Sequence, residues 1–404
     1  MRILIIHNYY KQAGGEDTVF HAEAALLEQH GHQVEKLSFS NKEVNSLSEK
    51  LKAALGVVYN PGSAKLVEDR IKSFQPDVIH VHNFFPLLSP SVFYVANRLQ
   101  VPIVVTLHNY RLVCPSALLY YNGKVQLENL HKVFPLSAIR QKIYRDSAIQ
   151  TASVVLTTGM HKLLGTWRSK VDKFIALTPG AADLFHNSSL KLRPGQVAVK
   201  PNFTQDIGIS RVEREEYFLY VGRLTAEKGI ETLLKAHELN PFPLKVAGDG
   251  PLRERVEEYA KTHASIKYLG FQNREQVLEL LKQARALIFS SEWLETFGMT
   301  IIEAFSAGTP VIAANIGGAA QLVEDGVNGL HYTPGNAEEL AERVHTLIQY
   351  PRMIRQLGTA ARQSYEVRYT PEVNYQMLIS IYKDAIRSKK RKAPATKVAE
   401  ANLS

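Results

Sequence analysis

Cysteine is nearly missing from this chain. Cys114 is the only one among 404 residues, which excludes an internal disulfide and suits a reducing compartment. Long apolar runs are missing as well. No stretch approaches the roughly 18 apolar residues that cross a bilayer, and the opening MRILIIHNYY meets polar residues too early for a secretory leader. A cytoplasmic protein is the expectation. The chain also lacks a dinucleotide fingerprint, a P-loop lysine motif and any Asp-x-Asp pair that would hold a divalent metal. No zinc-finger spacing, aromatic RNP-like motif or basic recognition helix is present, so the net charge of +9 does not argue for nucleic acid. Much of that charge sits at one end: residues 387–404 hold six cations and one acid, and Arg387 to Lys392 places five cations in six residues. Such a tail is expected either to solubilise the chain or to touch an anionic membrane from the inner face.

What the chain does have is length for two cores and short apolar runs alternating with helical patterns, the order of open parallel sheets. Arg2 to Ile6, Val78 to His82, Ile103 to Leu107 and Val154 to Thr157 read as strands of a first domain. Phe218 to Val221, Leu244 to Ala247, Ile266 to Tyr268, Ala286 to Phe289 and Val311 to Ala314 read as strands of a second, with helices near 230–239, 251–262 and 274–284. The fold class is therefore α/β, two Rossmann-like, doubly wound domains facing across a cleft. We place the first domain at 1–205 and the second at 206–370, with a linker near Pro201 to Glu213. A last helix is placed at about 371–388, with Thr370 as N-cap and Pro371 at its first position, and a disordered basic tail at 389–404.

The most informative segment is Ser291 to Pro310, SEWLETFGMTIIEAFSAGTP. Thr296, Phe297 and Gly298 read as a loop, and Met299 to Ala307 as a short buried helix stopped by Gly308 and Pro310. A helix start carries unsatisfied N–H donors and partial positive charge, which attract a diphosphate. Glu295 lies just ahead of that start and Glu303 inside the helix, among Ile301, Ile302, Ala304 and Phe305, where a charge needs a partner. Two hydroxyl-accepting carboxylates around a phosphate-binding turn describe a nucleoside diphosphate sugar. At this spacing the segment resembles the Glu-x7-Glu signature of the retaining GT-B glycosyltransferases of family 4, and the resemblance extends to about residue 385.

Other strand ends fit the same picture, since ligands of open α/β sheets sit at the carboxyl edge. After Phe218 to Val221 comes GRLTAEKG, in which Gly222 permits close approach while Arg223 and Lys228 supply two cations. It resembles the family's phosphate-binding turn. AGDGP at Ala247 to Pro251 is a weak signal by itself; the resemblance makes Gly250, Gly270 and Phe271 neighbours of the base. Gly14 and Gly15 precede a helix ending at Gly31, and on spacing they equally suit an ordinary strand-to-helix connection. In the resembled enzymes that loop caps the diphosphate, which makes both glycines donor-site candidates.

His80, His82 and His108 lie at strand ends and invite a zinc reading, but no carboxylate or second cysteine in the sequence completes a four-ligand set. His108, in TLHNYRLVCP, matches the family position beside the transferred sugar. The relatives' further cysteines after this motif have no counterpart here.

Taken together, the resemblance implies a metal-independent transferase that moves a hexosyl unit from a nucleoside diphosphate sugar to a carbohydrate or lipid-linked acceptor hydroxyl, needing no cofactor. The setting it implies is synthesis of bacterial surface polysaccharide or glycolipid. His108, Glu295, Arg223 and Lys228 are the expected catalytic set. Gly14, Gly15, Gly222, Gly250, Phe271, Phe297, Gly298, Met299, Thr300 and Glu303 are the expected donor-binding set. Retention at the anomeric carbon rests on the resemblance alone. A sugar-nucleotide epimerase or hydrolase of the same architecture, or a non-catalytic nucleotide-sugar-binding subunit, are the alternatives.

Overall fold

Short apolar runs become parallel strands here because helices cover both faces of each sheet, leaving no face for an alternating polar pattern. The computed structural model describes residues 1–9, 14–40, 58–85, 87–209 and 214–392. In the first half, the strands are β1 (Arg2–Tyr9), β2 (Gln33–Ser40), β3 (Val78–Val81), β4 (Ile103–Thr106), β5 (Tyr120–Tyr121), β6 (Lys124–Val125), β7 (Lys173–Ala176) and β8 (Val197–Val199). Apart from the small β5-β6 hairpin they form one sheet in the order β2-β1-β3-β4-β7-β8. Ile3, Leu4, Ile5 and Ile6 of β1 are fully buried, each worth about 1.5–3 kcal/mol by burial alone.

The second half holds β9 (Phe218–Val221), β10 (Leu244–Ala247), β11 (Ile266–Gly270), β12 (Ala286–Phe289), β13 (Val311–Ala314) and β14 (Gly329–Tyr332), ordered β11-β10-β9-β12-β13-β14. All neighbours in both large sheets run parallel. In each sheet the chain winds outward from the centre in two directions. The strand order reverses between β1 and β3 in one and between β9 and β12 in the other, and a crevice opens at the carboxyl ends there.

Two expectations are corrected. Val154 to Thr157 is not a strand but lies inside the helix Ala148–Leu163. Ser147 caps that helix by accepting from the Gln150 N–H at 3.3 Å, and Thr151, Val154, Val155 and Thr158 form its buried face. Burial of that face outweighs the modest strand preference of two adjacent valines, and β7 takes the place in the sheet.

The second correction concerns the tail. The last helix runs from Pro371 to Lys392, so Arg387 to Lys392 are helical. Lys389 is buried, 3.5 Å from Asp172. Residues 393–404 lie outside the described residues, as do 210–213 of the expected linker.

The last helix packs on the first sheet, where Leu378, Ile379, Ile381, Tyr382 and Ala385 join Ile3, Ile5, Phe20 and Val104 in one core. The connection before the second sheet is tied down by Arg362, which donates to both oxygens of Asp206 at 2.6 Å. Among the described residues no helix is long and apolar enough to cross a membrane.

Candidate functional site

The reversal points of the two sheets face each other across a cavity of about 390 Å³. From the first domain come Gly14, Gly15 and Glu16 beyond β1 and His108 and Asn109 beyond β4. From the second come Gly222, Arg223 and Lys228 after β9, then Ser290, Ser291, Trp293 and Glu295 to Phe297 after β12, with Met299 and Thr300 opening the next helix. The domains touch at this level: Thr296 Oγ1 donates to the His108 carbonyl at 2.7 Å. A side-chain carbon added at Gly15 would stand 3.8 Å from Met299 Cγ.

A second cavity, about 720 Å³, shares Val221, Gly222 and Arg223 with the first and continues past Gly248, Asp249, Gly250, Phe271 and Gln272. Its floor is bare backbone. A Cβ on Gly248 would fall 1.9 Å from the Gly222 carbonyl oxygen, and one on Gly250 2.6 Å from that of Leu224, so only glycine lets β9 and β10 end this close together. Phe271 is 76 % exposed at the rim, an aromatic face that nothing in the fold requires.

The Met299–Ser306 helix is aimed by both of its ends. Arg214 donates to the Ala307 and Gly308 carbonyls at 2.9 and 2.8 Å, satisfying the C-terminus. Gly298 is the N-cap and has no side chain to satisfy the first N–H groups. Lys228 Nζ lies 2.6 Å from Glu295 Oε1, which also accepts from Ser291, so both contacts fall on one carboxylate oxygen. The ammonium also sits 5.4 Å above the Trp293 ring. Arg223 is exposed where the two cavities meet.

Two expected donor residues stand apart from the cavity walls. Gly298 lies behind the surface, against Ile301 and Leu322. Glu303 is buried, 3.4 Å from Arg274, and lines neither cavity. Burial pushes its carboxyl up to about 7, and the Arg274 charge only partly opposes this.

Residues 13–204 match the family model for Glycosyltransferase Family 4, and residues 203–364 match that for Glycosyl transferases group 1. The chain is a group 1 glycosyltransferase of the GT-B fold. It is 24% identical over 375 residues to an uncharacterized glycosyltransferase of Methanocaldococcus jannaschii, a match covering 90% of this chain and 93% of that relative. It is 26% identical over 351 residues to the glycogen synthase of Mycobacterium tuberculosis, covering 83% and 75%. A second M. jannaschii glycosyltransferase is 29% identical over 194 residues, and there the match spans only about half of that relative, 49%.

Among solved structures, a glycosyltransferase from Rickettsia africae superposes with a TM-score of 0.67 at 19% identity, covering 96% of this chain and 98% of the other. Anabaena HepE, solved with UDP-glucose, superposes at 0.63 and 19% identity, covering 94% and 99%. At such identities the likeness establishes a shared fold.

Behind the cavity, this glycosyltransferase carries a buried polar chain that its sequence did not announce. Glu23, on the helix Gly15–Gln29, accepts from Lys200 Nζ at 2.5 Å and approaches His82 Nε2 at 3.4 Å and His80 Nδ1 at 3.7 Å. His82 Nδ1 pairs with His108 Nε2 at 3.0 Å, so the chain reaches the cavity wall. Glu23 is thus the carboxylate that the sequence reading did not find beside the histidines. Metal chemistry does not fit the cluster, however. Both nitrogens of His80 are engaged, with Tyr382 and Thr106 at 2.8 Å, and a divalent ion would share Glu23 with an ammonium already 2.5 Å away.

The charges explain the protonation states. Lys200, His82 and His80 hold Glu23 well below the usual carboxylate range although burial opposes it. Burial, then the charge on His82, holds His108 well below the usual histidine range, leaving a neutral ring at the cavity.

Sequence reasoning also missed Glu16, Asn202 and Trp293. Burial and the neighbouring Asp17 push Glu16 up to about 8, with Arg111, Asn109 and Asn83 opposing. Its carboxyl is therefore largely protonated at neutral pH, and its Oε1 accepts from Asn83 Nδ2 at 3.2 Å. Asn202 Oδ1 and Trp293 Nε1 are buried without hydrogen-bond partners among the described residues, and both residues line the cavity. The position of Trp293 two residues before Glu295 was the one signal available; for Asn202 there was none.

Proposed function

We propose that the chain transfers a sugar from a nucleoside diphosphate donor to an acceptor hydroxyl, with retention at the anomeric carbon and without a metal ion. The observation that carries this reading is the junction of the two cavities at Gly222–Arg223. The larger cavity takes the base, with Phe271 as a stacking face, and the smaller one takes the sugar. The diphosphate spans the junction beside Arg223, Lys228 and the start of the Met299–Ser306 helix. Two cations and free N–H donors stabilise the charge that grows on the leaving phosphate as the glycosidic bond breaks.

Glu295 holds the sugar through Oε2, since Oε1 is already occupied by Lys228 and Ser291. His108 offers a neutral ring nitrogen to a sugar hydroxyl and need not act as a base. The leaving phosphate oxygen takes the acceptor proton while the acceptor oxygen bonds to the anomeric carbon on the same face. Glu303 accepts from the ribose diol once Arg274, half-exposed with its guanidinium 3.4 Å from Glu303 and 3.2 Å from Thr204 Oγ1, moves aside.

UDP is the first nucleotide to test, because HepE has been solved with UDP-glucose. The acceptor is a carbohydrate or a lipid-linked sugar, as in surface-polysaccharide or glycolipid synthesis; the curated relatives include an O-antigen chain mannosyltransferase from Escherichia coli. Calorimetric titration with a nucleoside diphosphate and its sugar tests the donor site. Glu303→Ala should weaken both ligands alike, and Glu295→Ala should weaken the sugar-bearing one selectively. Equal losses of diphosphate affinity in the two variants would sink these roles. Product analysis with and without acceptor separates transfer from epimerisation, hydrolysis and mere binding.

A further inference from the structure

The helix Ala148–Leu163 presents an apolar stripe to solvent. Ile149, Leu156 and Leu163 recur every seven residues and are 78 %, 52 % and 66 % exposed, and Leu164 adds a fourth at 60 %. Ala152, Ser153 and Met160 fill the intervals on the same side. The helix contains no acidic residue, and its one lysine, Lys162, turns inward and donates to the Lys132 carbonyl at 3.0 Å. Leu136, 65 % exposed, extends the patch from the neighbouring segment, which is clamped to the helix by the Phe134 ring lying over Gly159. Exposed apolar side chains scattered singly are ordinary; a continuous stripe is not.

The rim of this patch is basic. Arg140, Lys142 and Arg145 precede the stripe and Arg168 follows it, all exposed; Lys132 is exposed too but lies 4.0 Å from Glu128, and Asp146 is the only acid between residues 131 and 170. We propose that this face is the membrane-docking surface of the enzyme, with the leucines and Ile149 entering the acyl boundary of an anionic leaflet and the flanking cations meeting its headgroups. The charge decides the occupant. A second copy seated on the same face would bring two basic rims together.

Position agrees with charge. Arg111, which acts on the cavity residue Glu16, lies 4.3 Å over the ring of Tyr144, just ahead of the stripe. A lipid-linked acceptor held in the leaflet is then near the first-domain wall of the cavity. The C-terminal cations suit this role less, since Lys389 is buried against Asp172 and Arg387 lies 3.7 Å from Asp384.

This surface rests on the lipid-linked acceptor reading for its purpose, but sedimentation without substrate tests it independently. The full chain should co-sediment with phosphatidylcholine vesicles only when phosphatidylglycerol is included, and salt should release it. Leu156→Glu with Leu163→Glu should lower the partition coefficient by about tenfold or more. Arg140→Ala or Lys142→Ala should each lower it by about fivefold. Deletion of 393–404 should change little, and nucleotide titration should be unaltered in every variant, which shows that they are folded. The double glutamate variant sedimenting like the parent would overturn the proposal, as would loss of binding on deleting 393–404. It would also fail if light scattering showed the substitutions dissolving a dimer with no change in sedimentation, or if neither protein bound anionic vesicles.

Discussion

Glu303 supplies a pH signature that ties one carboxyl to donor binding. Its pKa is about 7 in the free protein because burial penalises the charge. If the ribose diol binds the carboxylate, affinity follows the ionised fraction, which rises from roughly a tenth at pH 6 to nine tenths at pH 8, so the donor should bind about tenfold more tightly at the higher pH. A nucleoside diphosphate sugar is the right ligand, since each of its phosphates carries one ester and one anhydride link and does not titrate there. Calorimetry across this range should show the rise in the parent and a flat profile in Glu303→Gln. Glu16, on the opposite wall and pushed up to about 8, is the competing source, and Glu16→Gln should leave the rise in place.

Stability gives the opposite slope. The folded-state pKa of Glu303 lies above the unfolded value of 4.5, so its contribution is fully present below pH 4.5 and is lost as pH rises to about 7. The loss is on the order of 3 kcal/mol across that window, and Glu303→Gln should abolish it in denaturant titrations. A tenfold rise persisting in Glu303→Gln would refute the assignment.

Other expectations follow from the same geometry. Arg223→Ala and Lys228→Ala should each lower turnover at least about tenfold, equivalent to roughly 1.4 kcal/mol, and turnover in the parent should survive excess chelator; activity lost to chelation and restored by magnesium would contradict the mechanism. Phe271→Ala should weaken nucleotide binding by about 1–3 kcal/mol, the range for base stacking, with an unchanged melting temperature because the ring is exposed; an unchanged dissociation constant would remove Phe271 from the base site. Glu23→Ala leaves Lys200 buried without its carboxylate and should cost about 3–5 kcal/mol of stability. Glu23→Gln should retain more of the fold yet shift the pH profile of turnover through His82 and His108; a profile identical to the parent's would reduce the buried chain to a structural role.

What could be read from the sequence was what local chemistry dictates. The central strands β1, β3, β4, β9, β10, β12 and β13 are short apolar runs bounded by polar residues, and the Ser291 to Pro310 segment carries its own helix start and stop. The edge strands β2 and β14 mix polar and apolar residues and gave no such signal. Val154 and Val155 misled because two β-branched residues look the same in a strand and on the buried face of a helix. Long-range electrostatics was invisible. Nothing near Glu23 indicates that Lys200, 177 residues away, lies across from it. The tail cations likewise read as free until the fold set Lys389 against Asp172.

On the proposed reading, the adjoining cavities at Gly222–Arg223 bind a nucleoside diphosphate sugar without metal. Calorimetric titration of UDP and a UDP-sugar in excess chelator tests it most directly, with the parent compared against Arg223→Ala and Phe271→Ala. One site per chain is expected, indifferent to chelator and weakened by both substitutions. Binding that needs a metal, or no binding of any nucleoside diphosphate, would contradict it.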